Sequence, residues 1–223
     1  MVIARNCRRL YSGKWEWNFV RYIIPIFILS FLGAAVGCST AFRANSSRPI
    51  HVEPLDVMLQ TDAASFGLAN VGIFPFAAPR YALEAGKELA DLFSGELLRT
   101  GMFRRLILIP RDVKTHEEAI WWGRHESCDL VIKPEITYLL DGSGGLPTQL
   151  QTSIVILDVR SGKPLWSLRQ KAYSEPGPDV DLFWTTIPGS PAQRYRLLAG
   201  ALAEQFSGYL SSSVQNQTRM RKK

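Results

Sequence analysis

Leu68-Ala-Asn-Val-Gly-Ile-Phe-Pro-Phe76 is an apolar run too short for a helix and rich in β-formers, closed by the breaker cluster Ala77 to Arg80. It reads as a buried first strand. From Ala82 the period changes: Leu83, Gly86, Ala90, Phe93 and Leu97 fall three and four apart, and Gly101 stands where a helix C-cap belongs. Leu106-Ile-Leu-Ile109 then supplies a second buried strand, ended by Pro110. Strand, helix and strand at this spacing make a βαβ crossover, and such a crossover leaves its two strands parallel.

Further along, Thr115 and Glu118 have the spacing of a capping box and start a second helix through Trp121 and Trp122 towards Glu126. Three strands follow. In the first, Leu130, Ile132, Ile136, Tyr138 and Leu140 share a face; a Gly-rich turn at Asp141 to Pro147 leads into Leu150 to Val159, and Arg160-Ser-Gly-Lys163 reverses the chain into Leu165 to Tyr173. Short connections make these neighbours antiparallel. A long loop, Ser174 to Ser190, precedes a closing helix with Tyr195, Leu198, Leu202, Phe206 and Tyr209 on one face. The predicted fold is therefore α/β, in the order β-α-β-α-β-β-β-α: a mixed sheet with a parallel βαβ start and an antiparallel three-strand meander, helices packed on it. Phe74, Ile107, Ile156, Trp166 and Leu202 are expected in one core, with Arg169 on the opposite face from Trp166.

Upstream lies an address. Arg5, Arg8, Arg9, Lys14 and Arg21 precede an apolar run, Tyr22 to Gly37, that is too short to span a bilayer comfortably. The run ends in Ala35-Val36-Gly37-Cys38, which resembles the lipobox of bacterial lipoproteins, with alanine where leucine is usual. That resemblance implies a signal peptide over 1–37, a palmitate-bearing acylated Cys38 at the start of the mature chain and, with Ser39 following, the periplasmic face of the outer membrane. Ser39 to about residue 64 has no periodicity and reads as a flexible tether, able to reach at most about 80 Å when extended. Residues 65–214 are then one periplasmic domain, and 215–223 a basic tail.

Charge and cysteine usage follow from this address. The leader takes five of the 26 Lys and Arg and one of the 20 Asp and Glu, which leaves +2 on the mature chain. Four of the remaining positive charges sit at Arg219, Arg221, Lys222 and Lys223, so the body has no basic excess suited to nucleic acid. Cys7 leaves with the leader and Cys38 takes lipid. Cys128 is left alone, with no disulfide partner, and is expected to be a buried small hydrophobe.

Enzymatic motifs are not expected, and neither is a cofactor. Ser161-Gly-Lys163 resembles part of a phosphate loop, but Leu157 stands at the required glycine and Pro164 at the Ser/Thr position, which makes it a hairpin turn. Gly142 to Gly145 joins two strands and has no helix N-terminus behind it. His116, Glu117, His125 and Cys128 are the metal-capable residues; no HExxH or CxxC spacing links them, and the two histidines, nine apart, fall on opposed faces of one helix. No G-x-S-x-G elbow or paired carboxylate occurs.

VGIFPF before a helix, SCDLVIKPEITYLLDG, and SIVILDVRSGKPLWS before a closing helix resemble the periplasmic α/β domain shared by the curli-secretion lipoprotein family (CsgG) and the Pel polysaccharide-export lipoprotein (PelC), related to the N-terminal domain of TolB. The resemblance covers about residues 65–212. It implies a non-catalytic docking and assembly module of an envelope export or surface-assembly apparatus, with homo-oligomers or other envelope proteins as partners. The two long hairpins of the curli channel's barrel are missing, so a secretion accessory fits better than a pore. The alternatives are a regulatory lipoprotein contacting a peptidoglycan synthase and a periplasmic hydrolase.

The candidate working surface is the loop from Glu175 to Gly189. It exceeds the usual handful of residues, and Leu182, Phe183, Trp184 and Ile187 form an apolar cluster among Asp179, Asp181 and three prolines. The sequence leaves two readings open: a lip that offers aromatics to a partner or a lipid interface, or a lid folded back over one end of the sheet.

Overall fold

The computed structural model describes residues 48–61, 66–142 and 145–221. The signal peptide and Cys38 lie outside these residues. The strands are β1 (His51–Val52), β2 (Asp56–Gln60), β3 (Asn70–Ile73), β4 (Arg105–Leu108), β5 (Leu130–Leu140), β6 (Thr148–Asp158), β7 (Pro164–Ser174), β8 (Val180–Leu182) and β9 (Thr185–Ile187). The helices are α1 (Leu83–Thr100), α2 (His116–His125) and α3 (Tyr195–Arg221). Among the described residues one mixed sheet runs β1-β7-β6-β5-β3-β4, with β2 beside β1 on the β7 edge, and β8 and β9 pair only with each other.

The parallel βαβ start and the antiparallel meander are both present. β3 lies parallel to β4 on one side and to β5 on the other. Gly101 closes α1 at φ +60°, where only glycine is free of strain, and its N–H donates to Leu98 O. At α2 the Thr115 hydroxyl accepts from the Glu118 N–H while the Glu118 carboxylate accepts from the Lys114 N–H, a reciprocal cap.

Several expectations need correction. The first strand is shorter than Leu68 to Phe76, because Pro75 has no N–H to give; pairing resumes at Ala77, whose N–H donates to Pro134 O. Pro134 sits in a central strand because its missing N–H falls opposite that interruption. β4 is an edge strand, half-buried rather than buried, with Leu108 exposed. On α1, Leu83 is exposed and Leu89 takes its place in the core. In β5 a bulge between Ile136 and Tyr138 shifts the alternation, so Leu139 faces Leu150 and packs on the core while Tyr138 turns outward.

The stretch read as tether is partly sheet. His51 pairs with Tyr173, and Asp56 to Gln60 pair with Arg169 to Trp166. Side chains lock this edge: the Trp166 indole N–H donates to Thr61 O at 3.0 Å, and Gln205 Nε2 donates to Glu53 O at 2.7 Å. Both partners are more than 100 residues away in sequence, so local periodicity carries no trace of them. At the other end, α3 runs through Arg221, into residues read as a tail; SSSVQNQTRMR contains no Gly or Pro to stop it.

The expected single core is two. α1 and α3 cover one face of the sheet and enclose Ile156, Trp166 and Leu202 together with Phe66, Phe93 and Phe206. α2 covers one end of the other face and encloses Phe74, Ile109, Cys128, Val131 and Leu157, with Ile107 packed beside them. Trp166 is fully buried and Arg169 points away, as expected.

Candidate functional site

The 175–189 loop is a hairpin. Val180, Asp181 and Leu182 pair with Ile187, Thr186 and Thr185, leaving Phe183 and Trp184 as a two-residue turn. Two-residue hairpin turns favour glycine or asparagine at positive φ, yet neither aromatic has a positive φ. These two residues therefore gain nothing locally from being at the tip. Phe183 is fully exposed and Trp184 is 84 % exposed, while Val180, Leu182 and Ile187 are each 40 % exposed or more. Neither aromatic is folded back over the end of the sheet.

The arm is held by polar bonds and its root is fixed to the body. Thr186 Oγ1 donates to Asp181 Oδ1 at 2.8 Å, and the Gly189 N–H to Asp179 Oδ1 at 2.8 Å. The two chains of the arm approach so closely that a Cβ on Gly189 would lie 2.0 Å from Gly177 O. Below them the Gly177 N–H donates to Ser190 O, and the Gln193 N–H to the hydroxyl of buried Ser174. The Tyr195 N–H donates to Asp141, and the Tyr195 hydroxyl donates to Glu88 on α1, which also pairs with Arg196. That hydrogen bond to Glu88, with partial burial, pushes the phenol up to about 12. A mobile-looking sequence thus becomes a short arm on a rigid base.

The other singled-out residues do not converge. Cys128 is buried, and burial pushes its thiol up to about 11, which removes nucleophilic character near neutral pH. His116 opens α2, and His125 stacks on Trp121 at its other end. Among the described residues no three His, Cys, Asp or Glu side chains are grouped as metal ligands, and no helix is long and apolar enough to cross a membrane. A depression of about 580 Å³ contains Arg124, Cys128, Asp129, Asp158 and Arg160. Both of its carboxylates are engaged by backbone: Asp129 accepts from the Asn70 N–H, and Asp158 from the N–H groups of Arg160 and Ser161.

One surface escaped the sequence reading. Trp121 lies parallel to His125 with ring centroids 5.7 Å apart, Trp122 meets Trp121 edge-on at 4.7 Å, and the Arg111 guanidinium lies 4.7 Å from the Trp122 ring. Trp121 is 58 % exposed. The available signal was the i, i+4 spacing of Trp121 and His125 on a helix that buries only Ala119 and Gly123 fully.

No family model matches the chain, and no curated protein matches it. Among solved structures, PelC from Paraburkholderia phytofirmans, a dodecamer, is similar over 74 % of this chain and 98 % of its own, with a TM-score of 0.51 and 14 % identity. Protein XCC0632 from Xanthomonas campestris is 10 % identical, with a TM-score of 0.46 over 72 % of this chain and 95 % of its own. Lipoprotein GNA1162 from Neisseria meningitidis is 15 % identical, with a TM-score of 0.36 over 48 % and 83 %. At such identities the PelC likeness shows the fold and nothing finer.

Proposed function

We propose that this chain is a non-catalytic lipoprotein, acylated at Cys38 and held at the periplasmic face of the outer membrane, that docks and helps assemble an envelope export apparatus. One observation carries the reading: an arm tipped by exposed Phe183 and Trp184 projects from a rigid α/β body and covers no part of it. Aromatics left in water on a fixed scaffold suit an interface core. The PelC-like fold supports the same role, and the dodecameric state of PelC makes self-assembly the first form of docking to examine.

The choice over a regulator of an inner-membrane synthase rests on reach. With the sheet beginning at His51, 12 residues lie between it and Cys38, at most about 45 Å of extended chain. Such a body stays near its own membrane. The hydrolase reading has no support in the depression at Asp129 and Asp158, whose carboxylates are turned to backbone amides.

Photo-cross-linking from position 184 in intact cells tests the docking role: adducts with envelope proteins or with a second copy are expected, and adducts with neither would overturn it. Anchoring is tested separately. Cys38→Ser should abolish lipid labelling and release the protein from the membrane fraction, because each buried acyl methylene contributes about 0.8 kcal/mol. Unchanged labelling would rule out that acceptor.

A further inference from the structure

We propose that Arg48 is the pin that holds the docking arm in position, so that the arm keeps its pose only while the strap from Arg48 to Thr61 is seated on β7. The inference rests on the docking role of the hairpin and adds what that role depends on within the chain. Arg48 stands ten residues after Cys38, so the pin belongs to the segment that joins the body to its proposed anchor.

Register brings the two together. His51 pairs with Tyr173 in antiparallel sense, and continuing that register by three residues puts Arg48 level with Pro176, next to Gly177. There the guanidinium lies against bare backbone: a Cβ on Gly177 would overlap Arg48 Nη2 outright and stand 2.9 Å from Ser190 Oγ. Close approach, not a positive φ, is what requires glycine at this position. Among the described residues from Glu175 to Ser190 only Gly177 is buried, and Arg48 lies over it. The Arg48 carbonyl accepts from Gln193 Nε2 at 3.2 Å, and the N–H of the same Gln193 donates to Ser174 Oγ at 3.1 Å. One residue thus ties Arg48 to both ends of the arm.

The strap can leave while the body stays folded. Among the described residues from Arg48 to Thr61 none is buried; Ile50, Leu55 and Val57 pack on the core from half-buried positions. Its fastenings are hydrogen bonds to β7 and α3, among them Glu53 N–H to Lys171 O, Gln205 Nε2 to Glu53 O and Trp166 Nε1 to Thr61 O. A register shift between Val57 and Leu59 interrupts the pairing. Arg48 Nε is itself buried with no hydrogen-bond partner among the described residues, a cost that release removes. Segments with so little buried apolar surface open at free energies well below that of global unfolding. Strap and arm therefore form one low-stability unit joined at Arg48, and by linkage a partner that binds the arm in its seated pose also favours the seated strap.

The test uses the full mature chain in detergent, with amide hydrogen exchange read residue by residue and folding by melting temperature. Arg48→Ala should speed exchange at the Gly177 and Gly189 amides roughly tenfold or more, with the β6 amides and the melting temperature little changed. Gly177→Ala, made on the arm, should do the same to the Glu53 amide of the strap. Combining the two is the sharper measurement: once the guanidinium is gone the added methyl has room, so Gly177→Ala should add nothing further in the Arg48→Ala background, whereas two unrelated defects would add. Unchanged exchange at Gly177 in Arg48→Ala, or additive effects in the double variant, overturns the pin. Should Arg48→Ala unfold the chain, Gly177→Ala carries the test by itself, and an unchanged Glu53 amide overturns the pin. Cross-linking from position 184 separates the pin from the docking role: adducts of the native chain should fall several-fold in Arg48→Ala, and adducts that persist undiminished overturn the positioning role. A native chain without adducts fails the docking role instead, and the exchange measurements then decide the pin on their own.

Discussion

Trp166 and Trp184 are 18 residues apart and have opposite surroundings. Trp166 is fully buried on β7, packed against Phe66 and Tyr209, with its indole N–H on Thr61 O. Trp184 stands in solvent at the end of an arm whose strands pair only with each other. The same side chain therefore serves stability in one place and is free for contact in the other. Residue type alone does not separate the two; the number of elements that converge on the position does. The body and the arm should accordingly respond to substitution in opposite ways, and that contrast can be broken at several points.

The largest effect belongs to the body. Trp166→Ala removes a buried aromatic and leaves Thr61 O without its donor, so a loss of about 3–5 kcal/mol is expected. For a body of this size that is about 6–20 °C in melting temperature. Phe74→Ala should fall in the same energy range, and because Phe74 belongs to the cluster under α2 while Trp166 lies on the other face, the two losses should add to within about 0.5 kcal/mol. Chemical denaturation of the single and double variants measures this. Marked non-additivity would mean that the sheet does not separate two cores.

A smaller effect is expected where the arm meets the body. Gly189→Ala would place a methyl group against Gly177 O, and the cheapest relief is to open the root of the hairpin. The expected cost is about 1 kcal/mol, confined to the arm. Limited proteolysis should then cut between residues 175 and 189 faster, with the melting temperature little changed. A collapse of the whole domain would show that the arm is a structural part of the body.

The buried thiol supplies a pH test of the α2 core. Burial raises Cys128 from about 9 to about 11, so in that interval the folded chain keeps a proton that the unfolded chain has lost. Its contribution is complete below pH 9 and declines as pH rises towards 11. The native chain should therefore lose stability faster than Cys128→Ala across this window, while below pH 8.5 the two curves should run parallel. Curves that stay parallel to pH 10.5 would place the thiol in contact with water.

What could be read from the sequence follows the same division. β3, α1, β4 and the β5-β6-β7 meander were legible because each has its own period and breakers: Pro110, the capping box at Thr115 and the turn at Arg160 to Lys163 all act within a few residues. The pairing of His51 to Gln60 with β7 was not, because its determinants, Trp166 with Thr61 and Gln205 with Glu53, join distant segments. The bulge near Thr137 was hidden too, since one extra residue inverts the alternation without changing composition. At the candidate site the cluster Leu182, Phe183, Trp184 and Ile187 was found by its apolar character in a long loop. Its exposure was beyond reach, because a covered and an uncovered aromatic have the same sequence.

The smallest effect on stability, and the one that tests the contrast most directly, belongs to the tip. Phe183→Ser with Trp184→Ser replaces two side chains that touch no core residue, and neither has a positive φ that serine would find easier or harder to adopt. With no buried area lost and no backbone strain changed, the melting temperature should stay within the shift equivalent to about 0.5 kcal/mol. Fluorescence supplies an internal check. Trp184 should be among the tryptophans most open to iodide quenching, Trp166 should be shielded, and the tip variant should lose a quenchable component while the shielded one is unchanged. Paired with Trp166→Ala, this gives two aromatic replacements on one chain whose energetic costs differ by several kcal/mol. A tip variant that melts several degrees lower would mean that the arm packs against the body in solution, and the separation between a stabilising and a docking tryptophan would then fail.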